Sequence, residues 1–163
     1  MSACPHSPIA PATPSALLAA LAAAEVHCKD RGEQWTAPRH RTYELLLRAG
    51  VPVKAYDLVS AYPRPGKGYT APATIYRALD FLASAGLVHR IESLNAFLAC
   101  RSEEDGHAPG FLICDCCGRV AELNLSADLA VGRVAAELGF KIERMVLEAH
   151  GICVDCRDQN PTT

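Results

Sequence analysis

Eight cysteines stand in this 163-residue chain, and four of them fall into two pairs of the same spacing, Cys114-x-x-Cys117 and Cys153-x-x-Cys156. Thiolates separated by two residues can turn toward one point. Two such pairs supply the four soft, tetrahedrally disposed donors that suit Zn²⁺. Protein would then fill every coordination position, which makes the ion structural rather than catalytic. The gap between the pairs exceeds the ~15–20 residues of a compact zinc ribbon, so further secondary structure must lie between them. Buried small hydrophobes or redox thiols are the blander use of these four residues. Cys116 offers a competing sulfur inside the first pair, and a solvent-side or packed thiol is the simpler reading of it.

A second set of metal-ligand types is His89, Cys100, His107 and Glu122. Each has an ordinary alternative: a hydrogen-bonded core histidine, a buried thiol, a solvated histidine or carboxylate. Two features favour a shared site. His89 and Cys100 can be neighbours across a hairpin, and His107 lies in a linker from which it can meet Glu122. Imidazole with thiolate favours Zn²⁺ over Mn²⁺ or Mg²⁺, while Fe²⁺, Ni²⁺ and Co²⁺ share these ligand types. His150 precedes the second cysteine pair and reads equally as a ligand or as a packed residue behind one. His40 reads as solvated, and Cys4, Cys28, His6 and His27 lack partners at ligand spacing. The chain has no nucleophile elbow, phosphate loop or catalytically spaced carboxylate pair, so it is not expected to be an enzyme.

These residues must be positioned by two different kinds of unit. Residues 1–14 hold four prolines and read as a disordered arm. Ser15 is expected to cap a helix ending near Gly32. Thr36, Ala37 and Pro38 then start a second helix that stops at Gly50. A third runs from Lys54 to about Tyr62. After the Pro- and Gly-rich loop PRPGKGYTAP, a fourth opens at Ala73/Thr74 and ends at Gly86. Its stripe of Ile75, Leu79 and Leu82, with Ala78 beside it, leaves Tyr76, Arg77 and Asp80 off the core face. The strands LVHRIE and AFLAC follow. With Leu94-Asn95 as the tip, His89 falls opposite Cys100, and Leu87, His89, Ile91, Leu98 and Cys100 share a face. Three helices and a hairpin in this order make a winged helix-turn-helix over residues 15–101, whose last helix would enter a DNA groove. Such cores also occur without DNA, so the pattern alone leaves that open.

Residues 102–109 read as an acidic hinge linker, and 110–163 as a small α/β unit with a short tail. GFLICDCCGRVAELN is expected to form strand, turn and strand, with each cysteine pair at a strand-to-turn corner. Ser126 to about Leu138 reads as a helix and Lys141 to Glu148 as a strand. A unit of about 50 residues usually needs a metal, disulfides or a partner subunit. The fold class is therefore α+β. Residues 1–101 carry eleven Lys/Arg against seven Asp/Glu, and 102–163 carry five against eleven. A basic half joined to an acidic half suits nucleic-acid contact by the first. The longest apolar run, Ala16 to Ala24, is far short of the ~18–20 residues of a membrane span. With no export signal in view, the expected compartment is the cytoplasm, where disulfide scaffolding is unfavoured.

Several stretches together resemble one family. They are Thr36-Ala-Pro-Arg39, Ala55-Tyr-Asp-Leu58, Thr74-Ile-Tyr-Arg-Ala-Leu-Asp-Phe81, Val88-His-Arg-Ile-Glu-Ser93, Phe111-Leu-Ile-Cys114, Cys117-Gly118 and Glu148-Ala-His-Gly-Ile-Cys-Val-Asp-Cys156. Over residues 15–156 the chain resembles the Fur superfamily of metal-dependent bacterial regulators, and within it the zinc-sensing branch. The resemblance implies a homodimer that binds operator DNA and represses zinc-uptake genes when zinc is replete. It implies two zinc ions per subunit, a structural one at Cys114, Cys117, Cys153 and Cys156 and a regulatory one at His89, Cys100, His107 and Glu122. It implies base contacts from Tyr76 and Arg77. Thr74 at the start of the same helix and Arg39 at the start of the second, the latter on phosphate, complete the expected DNA surface. Iron-sensing relatives carry a histidine-rich run before the first cysteine pair. This chain has His107 alone there and a thiol at Cys100, which favours zinc. A peroxide or redox sensor on the same fold, using Cys116 or Cys100, is the main alternative, followed by regulation by iron or nickel and by a plain zinc buffer.

Overall fold

Thr13, not Ser15, starts the first helix, because Pro14 fits the first helical position, where its missing N–H is not needed. The Thr13 Oγ1 accepts the Ala16 N–H at 3.3 Å, so the last two residues of the expected arm belong to the fold. The computed structural model describes residues 13–62, 71–100, 108–125, 130–143 and 145–159. Most of the arm and of the hinge linker, and the Pro/Gly loop up to Thr70, lie outside them. The chain divides into two compact units with the boundary between Cys100 and Arg101.

The first unit contains α1 (Pro14–Asp30), α2 (Ala37–Ala49), α3 (Ala55–Ala61), α4 (Pro72–Ser84) and the hairpin β1 (Val88–Ile91) and β2 (Ala96–Ala99). Helical spacing buries Leu17, Leu21, Ala24 and Cys28 along α1. Gly50 ends α2 at φ +63°, a conformation that glycine adopts without a Cβ clash. On α4 the buried residues are Ile75, Ala78, Leu79 and Leu82, the stripe that the 3.6-residue period requires. Val53 forms a single antiparallel bridge with Phe97, which ties the segment between α2 and α3 to the hairpin.

The hairpin register differs from the expected one. His89 pairs with Leu98, and Val88 with Ala99. The turn is the four residues Glu92–Asn95, with Asn95 at φ +46°, so its centre lies one residue earlier than a Leu94-Asn95 tip. That moves each partner by two positions and keeps every side chain on its expected face. Cys100 lies just past β2, and its N–H donates to the Leu87 carbonyl at 2.9 Å.

The second unit contains β3 (Ala108–Cys114), β4 (Val120–Leu125), α5 (Ala130–Glu137), β5 (Leu147–Gly151) and α6 (Val154–Gln159). Ala108 and Pro109 open β3 rather than closing the linker. The sheet order is β4-β3-β5, antiparallel on one side of β3 and parallel on the other. Phe111, Ile113 and Val120 are buried. The strand expected over Lys141 to Glu148 begins only at Leu147, where the parallel ladder to Gly110 starts. Nothing in the alternation marks α6, which begins directly after Cys153. No helix among the described residues is long and apolar enough to cross a membrane.

Candidate metal centre and nucleic-acid interface

The two Cys-x-x-Cys segments reach one place by different routes. The first lies in the turn from β3 to β4. There the Gly118 N–H donates to the Cys114 carbonyl and the Cys114 N–H to the Arg119 carbonyl, each at 2.9 Å. Gly118 stands at φ +71°, which lets the chain fold back under the sulfurs. The second segment runs from the end of β5 into α6, a strand-to-helix corner rather than the expected strand-to-turn one. The Arg157 N–H donates to the Cys153 carbonyl at 2.9 Å and forms the first helical turn.

This brings the sulfurs of Cys114, Cys117, Cys153 and Cys156 within 4.8 Å of one another. A tetrahedral ion with bonds of about 2.3 Å spaces its sulfurs about 3.8 Å apart. The Cys117 and Cys153 sulfurs are 3.8 Å apart. Cys114 and Cys156 are buried, while Cys117 and Cys153 are half-buried. Burial alone would raise the Cys114 thiol. The N–H groups of Cys153, Cys117 and Cys116 directed at its sulfur outweigh that and bring it down to about 6. The Cys153 N–H lies 3.3 Å from that sulfur. Spacing, burial and donors that stabilise thiolate all fit Zn²⁺. Cys116 is exposed and stands outside the four-sulfur group.

Within the first unit, a ring nitrogen of His89 and the Cys100 sulfur lie within 4.8 Å of each other. The two-residue offset in register places them diagonally on one face of the hairpin. Glu122 belongs to the second unit, half-buried on β4 opposite Phe111. His107 lies outside the described residues. His150 is exposed, and its Nδ1 lies 2.8 Å from the Asp115 Oδ1.

Tyr76 and Arg77 are exposed on α4, with Thr74, two residues before Tyr76, half-buried. Arg39 is half-buried on α2. Its guanidinium carbon sits 3.3 Å from the centre of the Phe81 ring on α4, and its Nη1 donates to the Gln34 carbonyl. The expected phosphate ligand thus also bridges two helices. Tyr56 on α3 is a 75 % exposed aromatic, since the helix buries its neighbours Ala55 and Leu58 instead.

Residues 30–150 match the model of the ferric uptake regulator family. The zinc uptake regulation protein of Escherichia coli strain K12 is 36 % identical over 138 residues, which span 83 % of this chain and 80 % of that protein. A solved zinc uptake regulator complexed with zinc and DNA is similar with a TM-score of 0.79 at 34 % identity, covering 88 % of this chain and 96 % of that one. The holo form of XcZur is similar with a TM-score of 0.74 at 40 % identity, over 85 % of this chain and 96 % of that one. Similarity of this extent runs through both the winged-helix unit and the cysteine-bearing unit, and by it the chain belongs to the ferric uptake regulator family.

Proposed function

We propose that this chain is a zinc-responsive, DNA-binding transcriptional regulator. It acts as a homodimer and represses zinc-uptake genes when zinc is bound. The observation that carries the reading is the similarity, through both units, to a regulator solved with zinc and DNA. The four-sulfur cluster supports a structural zinc. The regulatory zinc is assigned to His89, Cys100, His107 and Glu122, giving two ions per subunit. Exposed Val131 and Val134 on α5, with Leu138, Phe140 and Ile142 just beyond it, form an apolar surface suited to a second copy.

Tyr76 and Arg77 on α4 read bases, Arg77 through a two-bond contact with guanine and Tyr76 by apolar contact. Thr74 and Arg39 complete the interface, Arg39 on phosphate. A dimer must present its two recognition helices about 34 Å apart, or a multiple of that. If zinc favours that arrangement, apparent DNA affinity rises by the inverse of the competent fraction in the zinc-free chain. The coupling is reciprocal, so DNA tightens regulatory zinc by the same factor.

The test is a DNA-binding titration against buffered free Zn²⁺, with Fe²⁺, Mn²⁺ and Ni²⁺ in parallel. The probe is a duplex that the zinc-loaded chain selects from a random pool. Zinc-dependent affinity at free zinc levels where the other ions are ineffective is expected. Equal response to iron or nickel, or to peroxide in place of metal, would replace the reading.

A further inference from the structure

Each Cys-x-x-Cys segment contains one aspartate, Asp115 in the first and Asp155 in the second. Each aspartate meets a basic side chain that flanks the opposite segment. The Asp115 Oδ1 lies 2.8 Å from the Nδ1 of His150, three residues before Cys153. The Asp155 Oδ2 lies 2.6 Å from the Nη1 of Arg119, two residues after Cys117. Backbone contacts run between these side-chain pairs. The Asp115 N–H donates to the Gly151 carbonyl at 2.8 Å, and the Cys153 N–H reaches the Cys114 sulfur at 3.3 Å.

The arrangement is reciprocal: each arm of the metal site lends a carboxylate to a base on the other. We propose that Asp115–His150 and Asp155–Arg119 form a clasp that holds the two cysteine arms in register and slows exchange of the structural zinc. This rests on the four-cysteine site being that zinc site. Both pairs are partly exposed, so they add little to the stability of the whole fold. Their leverage is local. Zinc can leave only when one arm swings away, and each swing must break a side-chain pair together with a thiolate bond. Four thiolates around a dication also leave a net negative cluster. Arg119, two residues after Cys117 and paired with Asp155 between the cysteines of the second segment, places a positive charge beside that cluster, so it offsets part of that excess. Groups that orient ligands from behind are worth roughly 10–100-fold in metal affinity.

The experiment follows zinc release from the 163-residue chain to excess EDTA. A Cys100→Ser background removes a ligand of the regulatory ion, and the slowly released ion is then the four-cysteine one. Arg119→Gln and Asp155→Asn should each release it about tenfold faster, near the lower end of that range. Asp115→Asn should act in the same direction. The exchanged pair, Arg119→Asp with Asp155→Arg, should return the rate toward that of the parent, which a general loss of folding would not allow. Raising salt should speed release from the parent more than from Arg119→Gln. Parent-like release from Arg119→Gln and Asp155→Asn, or an exchanged pair as fast as either, overturns the clasp while leaving the zinc site standing. A parent chain whose slowly released zinc survives Cys114→Ser overturns the site and the clasp together.

Discussion

Replacing Arg39 with alanine removes two contacts at once. Its guanidinium is stacked 3.3 Å from the centre of the Phe81 ring, and its Nη1 donates to the Gln34 carbonyl. A cation over an aromatic face contributes about 0.5–2 kcal/mol depending on its desolvation, and Arg39 is half-buried. A partly exposed hydrogen bond adds about 0.5–1.5 kcal/mol. Arg39→Ala should therefore cost the first unit about 1–2 kcal/mol, since alanine also relieves the entropy of holding a long side chain. Phe81→Leu removes the same stacking while keeping most of the apolar volume. The double variant should show a coupling of about 0.5–1.5 kcal/mol between the two sites. Urea unfolding read by Trp35 fluorescence measures it, because this is the single tryptophan of the chain and its ring lies 6.1 Å from that of Tyr43 in the same unit. Additive losses, within about 0.3–0.5 kcal/mol, would refute the stacking argument. Salt dependence separates the second role proposed for Arg39. Loss of one phosphate contact lowers the slope of log affinity against log salt by about 0.9. That change is expected for Arg39→Ala and not for Phe81→Leu.

Three further outcomes are expected. Cys153→Ser should release the structural zinc and cost the second unit its fold or its dimer, whereas Cys116→Ser should be mild; zinc content and sedimentation measure both. Arg77→Ala should weaken specific DNA binding by about 1–3 kcal/mol and relax base preference at one position, read by competition between matched and mismatched duplexes. Burial pushes the Tyr43 hydroxyl up from 10.0 to about 12. The folded state therefore favours the neutral phenol, and that stabilisation is full below pH 10 and lost as the pH rises through about 12. The loss amounts to roughly 2–3 kcal/mol, and Tyr43→Phe should abolish it in alkaline urea titrations.

Periodicity made the first unit legible. The α4 stripe needs only the 3.6-residue repeat, and the same repeat sets Tyr76 and Arg77 off the core. The hairpin faces survived an error in register because the error was even. Short-range chemistry misled at Ser15, where a proline one residue earlier moved the cap to Thr13; the two hydroxyls lie 3.2 Å apart. The second unit was less legible because its elements are defined by partners far away in sequence. Lys141 to Glu148 alternates, yet the strand starts at Leu147, where β3 can pair in parallel, and no local pattern marks that position. The six-residue α6 is too short to show a period. The cysteine spacing foretold which sulfurs meet. The carboxylates and bases between them are ordinary surface residues until Asp115 and His150, 35 positions apart, are seen in contact.

In the proposed function one zinc holds the second unit together and another controls DNA binding. The most direct measurement takes zinc stoichiometry and DNA affinity against buffered free zinc on the same preparations of the parent chain and Cys100→Ser. The parent should hold two zinc ions per subunit and gain DNA affinity with zinc. Cys100→Ser should hold one ion, stay a folded dimer and respond weakly to zinc. A Cys100→Ser chain with the parent's zinc-dependent DNA affinity would remove Cys100 from the regulatory site and refute the proposed switch.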